Sequence, residues 1–247
     1  MNTATHTPPK PERIESALAL LRQAQACPPA AFSSSLGAED MVILDLIHRH
    51  GLAIEVFTLD TGRLPEETYQ LMQQVRSRYG NVLTVYFPDA KRVEALVAAQ
   101  GVNGFYDSVA NRKACCAVRK VEPLGRALAG KAAWVTGMRA AQSITRKGLA
   151  PSEPDADHHL TKFNPLHDWL EADVWNYLHA FEVPANALHD RGYASIGCAP
   201  CTRAITVGED IRAGRWWWED ADSKECGLHT GKTAHLKPID IPVKESV

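Results

Sequence analysis

Between residues 30 and 135 the chain alternates short apolar runs with longer amphipathic stretches, and this alternation constrains the fold more than any other feature. "AAFSSS", "AIEVFTLD", "VLTVYF" and "AAWVTG" read as buried strands. Between them, "AEDMVILDLIHRH", "PEETYQLMQQVRSRY", "DAKRVEALVAAQ" and "NRKACCAVRKVEPLGRALA" read as helices, the second opened by Pro65 at its first turn. A further helix, "ERIESALALLRQAQA", precedes the first strand. Strands that alternate with helices predict an α/β fold with a doubly wound, mainly parallel sheet. Such sheets bind ligands beyond the C-terminal ends of their strands. "SSSLGAED", "LDTGRLPEE" and "TGMRAAQSITR" all fall there, so three loops converge on one edge.

From about residue 150 the pattern changes. "APSEPDADHH" reads as a polar loop, "LTKFNPLHDW" as a short strand leading out, and "EADVWNYLHAFEV" as an amphipathic helix. Beyond Cys201 the chain is rich in Gly, charge and Trp, with weak periodicity. The expected organisation is an N-terminal tail and helix (1–28), an α/β domain (29–205) and a flexible C-terminal segment (206–247) packed over the core. A chain of 247 residues, 45% apolar, suffices for one sizeable core. A net charge of -2 gives no global reason to bind nucleic acid or a membrane surface, so any basic site must be local. The N-terminus shows no apolar signal region and no run is long enough to span a bilayer, which predicts a cytoplasmic protein. In that compartment clustered cysteines read as metal-binding or catalytic.

The first of the three loops joins a strand to a helix and carries Ser33, Ser35 and Gly37. Backbone N–H groups and hydroxyls at a helix N-terminus form a natural phosphate seat. The pattern is similar to the PP-loop of nucleotide α-hydrolases, altered by Glu39 and Asp40. Carboxylates crowding the loop disfavour a triphosphate tail and leave room for a nucleotide with one phosphate on the ribose side. The alternative is a serine cluster that merely starts a helix.

Five of the six cysteines fall in three motifs: Cys115 and Cys116 in "CCAVRK", Cys198 and Cys201 in "GCAPC", and Cys226 in "KECGLH". A CxxC pair alone suits zinc or redox chemistry. Adjacent helical side chains, however, diverge by about 100°, which makes it hard for Cys115 and Cys116 to share one small tetrahedral ion. Neighbouring thiolates can reach separate irons of a cubane, and four thiolates complete a 4Fe–4S cluster. Zinc stays open as the alternative. Arg119, Lys120 and Arg203 flank these cysteines and would offset the negative charge of such a cluster.

"SSSLGAED", "LDTGRLPEETY", "CCAVRKVEPL", "TGMRAAQSITR", "GCAPCTRAI", "GEDIRAGRWWWE" and "KECGLH", in that order, closely resemble the assimilatory adenylyl-sulfate reductases. The resemblance covers about residues 30 to 230. The related phosphoadenylyl-sulfate reductases share the loop and the terminal motif but typically lack both cysteine pairs. What the resemblance implies is reduction of adenylyl sulfate to sulfite and AMP. Cys226 would be the nucleophile that forms an S-sulfocysteine, and thioredoxin the reductant that releases sulfite. A 4Fe–4S cluster would sit on Cys115, Cys116, Cys198 and Cys201. Lys120, Arg146, Arg212 and Arg215 would grip the phosphosulfate, and Arg139 would either join them or pair within the fold. Ser33, Ser35, Gly37, Leu59 and Gly137 would line the nucleotide.

Other residues carry less. Cys27 reads as a small core residue. Trp216–Trp218 either pack the C-terminal segment or serve in docking thioredoxin. His48, His50, His158, His159 and His167 lack ligand-like partners, and His229 lies three residues after Cys226. The competing functions are a phosphoadenylyl-sulfate or dual-specific reductase, an ATP-using PP-loop transferase, and a redox-sensing metalloprotein. The oligomeric state is not encoded in any motif.

Overall fold

In the computed structural model, residues 8–142 and 148–220 are described. They form a six-stranded sheet with strand order β3-β2-β1-β4-β6-β5. The strands are β1 (Ala30–Ser33), β2 (Glu55–Leu59), β3 (Leu83–Tyr86), β4 (Ala133–Val135), β5 (Ser152–Asp155) and β6 (Leu160–Phe163). All neighbours run parallel except β5 and β6, which pair antiparallel. The α/β, mainly parallel reading therefore holds. The segment expected as a polar loop instead contains β5: its "SEPD" shows no apolar alternation because it is the sheet's outermost strand, where Pro154 is tolerated.

Side-chain alternation along each strand explains the layers. Ala30, Phe32, Val56, Ala133 and Val135 face a large core built with α1 (Pro11–Gln25), α2 (Ala38–Arg49), α3 (Glu66–Tyr79) and α7 (Glu171–Ala180). The intervening Ala31, Phe57 and Trp134 face the opposite way, onto Leu124, Ala127 and Leu128 of α6 (Glu122–Leu128). Cys27, just beyond α1, packs against the first of these cores. None of the helices among the described residues is long and apolar enough to cross a membrane.

Strand order reverses at β1, which sends the chain outward through β2 and β3 and then back to β4 on its other side. The crevice between the C-terminal ends of β1 and β4 is thus the topological switch point, where sheets of this kind hold ligands.

The helix that carries the paired cysteines is not uniform. α5 (Val109–Cys116) runs through a π-helical turn at Ala117–Val121 into α6. Pro123 gives the reason: it has no N–H, and its ring would clash with the carbonyl of Arg119 in a regular helix. The ladder widens instead, with the Glu122 N–H bonding Ala117 O.

Candidate functional site

A cavity of about 800 Å³ opens at the switch point. One wall is the loop from Ser33 to Asp40, which must turn sharply out of β1. Leu36 makes the turn at φ 60° and is buried at its apex, a conformation that costs a non-glycine residue about 1–3 kcal/mol. Asp40 holds the loop closed: its Oδ2 accepts the Ser35 N–H and the Ser35 hydroxyl, both at 2.6 Å. Burial pushes the Asp40 carboxyl up to about 7 against those hydrogen bonds, and Glu39 adds to the rise. Ser33 Oγ accepts the Trp134 indole N–H at 2.7 Å, which ties β1 to β4 across the crevice. Gly37 precedes the first turn of α2, whose opening residues also line the cavity.

The acidic residues act differently from the sequence expectation. They do not crowd the loop with free charge. Glu39 accepts two bonds from Arg139, at 2.8 and 2.6 Å, and Asp40 consumes two donors of the loop. The loop's capacity for phosphate is reduced chiefly because donors are already occupied.

Leu59 and Gly137 also line this cavity, as do Lys120, Arg139, Arg212 and Arg215. Arg139 is almost wholly buried, with Glu39 and Trp169 O as its partners. Of the two roles open to it, the internal ion pair is the one its guanidinium makes. Arg215 lies over Gly197: a Cβ built there would fall 2.3 Å from Arg215 Nη2. Its guanidinium stands 4.8 Å from the centre of the Trp216 ring. Arg146 and Cys226 lie outside the described residues, as does His229.

The four cysteines come together although 81 residues separate the two pairs. Cys115, Cys116, Cys198 and Cys201 line one small second cavity, with Phe105, Arg112, Arg119, Lys120 and Trp216. The CxxC loop is pinned from two sides. The Ala199 N–H bonds Arg63 O at 2.8 Å, and the Tyr106 hydroxyl bonds Pro200 O at 2.7 Å. Lys120 and Trp216 border both cavities and so form the partition between them. Trp216 is buried at φ 42°, a second strained residue at this boundary.

The electrostatics of the cysteine cavity are uneven. Burial alone would raise the Cys198 thiol, but Lys120, the Thr61 hydroxyl at 3.2 Å, Arg215 and Arg119 together draw it below the usual range. Burial, followed by the charge of Cys198, pushes Cys201 up to about 12. Burial also raises Cys115, opposed chiefly by Arg119. One thiolate is favoured here, while several together repel one another unless a multivalent cation lies among them. Four thiols with no imidazole or carboxylate in the lining are the donor set of an iron–sulfur cluster. Among the described residues, no group of three or more His, Cys, Asp or Glu side chains is arranged to hold a single metal ion.

Two expectations about the surrounding charge need revision. Arg203 does not border the cysteine cavity: Glu209, six residues on, holds it at 2.8 and 3.0 Å. Arg112 does border it and was not singled out from the sequence. Its only signal there was its place three residues before Cys115. Thr61 was likewise visible only as part of "LDTGRLPEE".

Residues 29–204 match the model of the phosphoadenosine phosphosulfate reductase domain. The adenosine 5'-phosphosulfate reductase of Allochromatium vinosum is 53% identical, covering 95% of this chain and 92% of that protein. That of Burkholderia cepacia is also 53% identical, with 93% of each chain covered. Among solved structures, the phosphoadenylyl-sulfate reductase of Candida auris in its phosphate complex superposes with a TM-score of 0.66 at 28% identity, over 79% of this chain and 98% of that one. The FMN adenylyltransferase of Candida glabrata shares the fold, with a TM-score of 0.53 at 16% identity, over 87% of this chain and 74% of that one. With its fold and its matched domain in agreement, this chain belongs to the phosphoadenosine phosphosulfate reductase family.

Proposed function

We propose that this protein reduces adenylyl sulfate to sulfite and AMP, with thioredoxin as the electron donor. One observation carries the reading: four cysteines ring a cavity that only Lys120 and Trp216 divide from a nucleotide-sized cavity at the switch point. The names of the 53%-identical relatives support the choice of substrate.

Substrate would enter with its AMP portion against Ser33, Ser35, Gly37, Leu59 and Gly137. Its sulfate end would then lie toward Lys120, Arg212 and Arg215, three cations that line the same cavity. They neutralise the phosphate oxygens on which charge develops as AMP departs. The Cys226 thiolate attacks the sulfur of the sulfonate; the new S–S bond forms as the S–O bond to AMP breaks. A thioredoxin thiolate next attacks Cys226 Sγ and releases sulfite. Its second thiol closes the thioredoxin disulfide and frees Cys226, so two electrons pass from dithiol to sulfur.

Cys115, Cys116, Cys198 and Cys201 would hold a 4Fe–4S cluster. When bound, that cluster supplies the cationic iron that lets four adjacent thiolates stay ionised together. Arg112, Arg119 and Lys120 offset its remaining negative charge from the cavity wall.

The test is covalent. Wild-type protein given adenylyl sulfate without reductant should gain one sulfo group on Cys226, measured by mass. Cys226→Ser should keep its iron and its affinity for adenylyl sulfate yet gain nothing, because an alcohol supplies almost no anion at neutral pH. An adduct mapping to one of the other four motif cysteines would refute the division into ligands and nucleophile.

A further inference from the structure

Arg112 is the most deeply buried basic residue of the described chain, at 1% exposure. Its guanidinium forms a fork on one carboxylate: Nε to Glu219 Oε1 at 2.8 Å and Nη2 to Glu219 Oε2 at 2.7 Å. Both side chains of the pair are shut off from water, 1% and 2% exposed. The same guanidinium lies over the Trp216 ring at 4.7 Å, hydrogen-bonds Cys116 and borders the cysteine cavity. One residue therefore touches the paired-cysteine helix, the partition and the C-terminal segment.

A buried ion pair is weak evidence of stabilisation, since desolvating two charges offsets most of their attraction. What such a pair does well is fix one arrangement, because breaking it strands a charge in the interior. The bidentate plane makes the arrangement specific to arginine. Glu219 lies seven residues before Cys226. A tether of that length reaches at most about 25 Å when fully extended. Where Glu219 is held thus sets the volume Cys226 can search, and the anchor sits beside the wall shared by the two cavities.

We propose that Arg112 is a positioning residue: by gripping Glu219 it anchors the segment leading to Cys226 on the wall of the cysteine cavity. Loss of the cysteine-bound metal then releases that segment and slows sulfur transfer. This rests on Cys226 being the nucleophile.

The experiment uses anaerobically prepared holoenzyme of wild type, Glu219→Gln and Arg112→Lys. The glutamine keeps the volume of the carboxylate and guards against simple misfolding. Visible absorbance and AMP affinity should match wild type in both variants. Amide hydrogen exchange across 206–220 should accelerate, and sulfo-adduct formation on Cys226 should slow tenfold or more. Stripping the metal with a chelator should accelerate that exchange in wild type but add nothing in Glu219→Gln. Wild-type exchange and adduct rates in both variants would overturn the proposal, as would loss of AMP affinity in parallel with the adduct. If wild type itself forms no adduct, it is the functional reading that falls. The anchor is then judged on exchange alone, and unchanged exchange in Glu219→Gln would end it.

Discussion

Asp40 occupies the space that a side chain on Gly137 would need: a Cβ built on Gly137 falls 1.9 Å from Asp40 Oδ1. The contact joins the loop after β1 to the loop after β4 at the switch point. It explains why a strand end that could carry any residue carries glycine. Gly137→Ala should force the buried carboxylate off Ser35 and open the loop. The expected cost is about 1–3 kcal/mol of stability, with AMP affinity falling more than tenfold by titration calorimetry. Wild-type affinity in that variant would mean the loop does not shape the nucleotide seat.

The same carboxylate carries a pH signature. Its folded pKa, about 7, lies above its ordinary value. The folded state therefore binds the extra proton between about pH 4 and 7, and stability falls as pH rises through that window. The contribution is fully present below the ordinary carboxylate range and gone above the folded value. Asp40→Asn removes the titration. Relative to wild type, the variant should gain about 2–3 kcal/mol between pH 5 and 8, read from denaturant midpoints in the two buffers. A difference independent of pH would show that Asp40 titrates normally.

How much of this could be read from the sequence depends on the range of the interaction. The parallel strands were legible because a run such as "AIEVFTLD" is apolar on both faces, as a strand covered by helices must be. β5 was not, since an edge strand of "SEPD" buries too little to show a pattern. The cysteine pairs declared themselves through spacing. Their cationic surroundings did not. Arg203 was captured by Glu209 within its own loop, while Arg112 owes its place to Glu219, 107 positions away. The π-turn after Cys116 is local, and Pro123 marks it in hindsight.

Lys120 borders both cavities, so its ammonium can act on charge in either. Its removal should be felt in the sulfur-transfer step and not at the nucleotide loop, which lies on other elements. Lys120→Ala should lower turnover on the order of 10²-fold, the usual cost of one preorganised donor to developing charge. Affinity for AMP should stay within about twofold, well under the tenfold that one lost interaction of 1.4 kcal/mol would cause. Equal losses in both would recast Lys120 as a binding residue, and no loss in either would make it a surface charge.

The cysteine cavity makes the sharpest chemical demand. Cys198 favours its thiolate, whereas Cys201 is pushed up to about 12 by burial and by the charge of Cys198. Without a cation among them the four sulfurs cannot all ionise; with a four-iron cluster they must. Protein purified without oxygen should thus be brown and carry about four iron and four acid-labile sulfide per chain. Cys201→Ala should lose colour and iron together, because three thiols and a methyl cannot complete the set. Cys27→Ala should keep both, as that residue packs only against the core around α1. Colourless wild type with one zinc per chain and full activity would replace the cluster with a single ion. The divergence of Cys115 and Cys116 on one helix would then have to be relieved by movement of the π-turn that follows them.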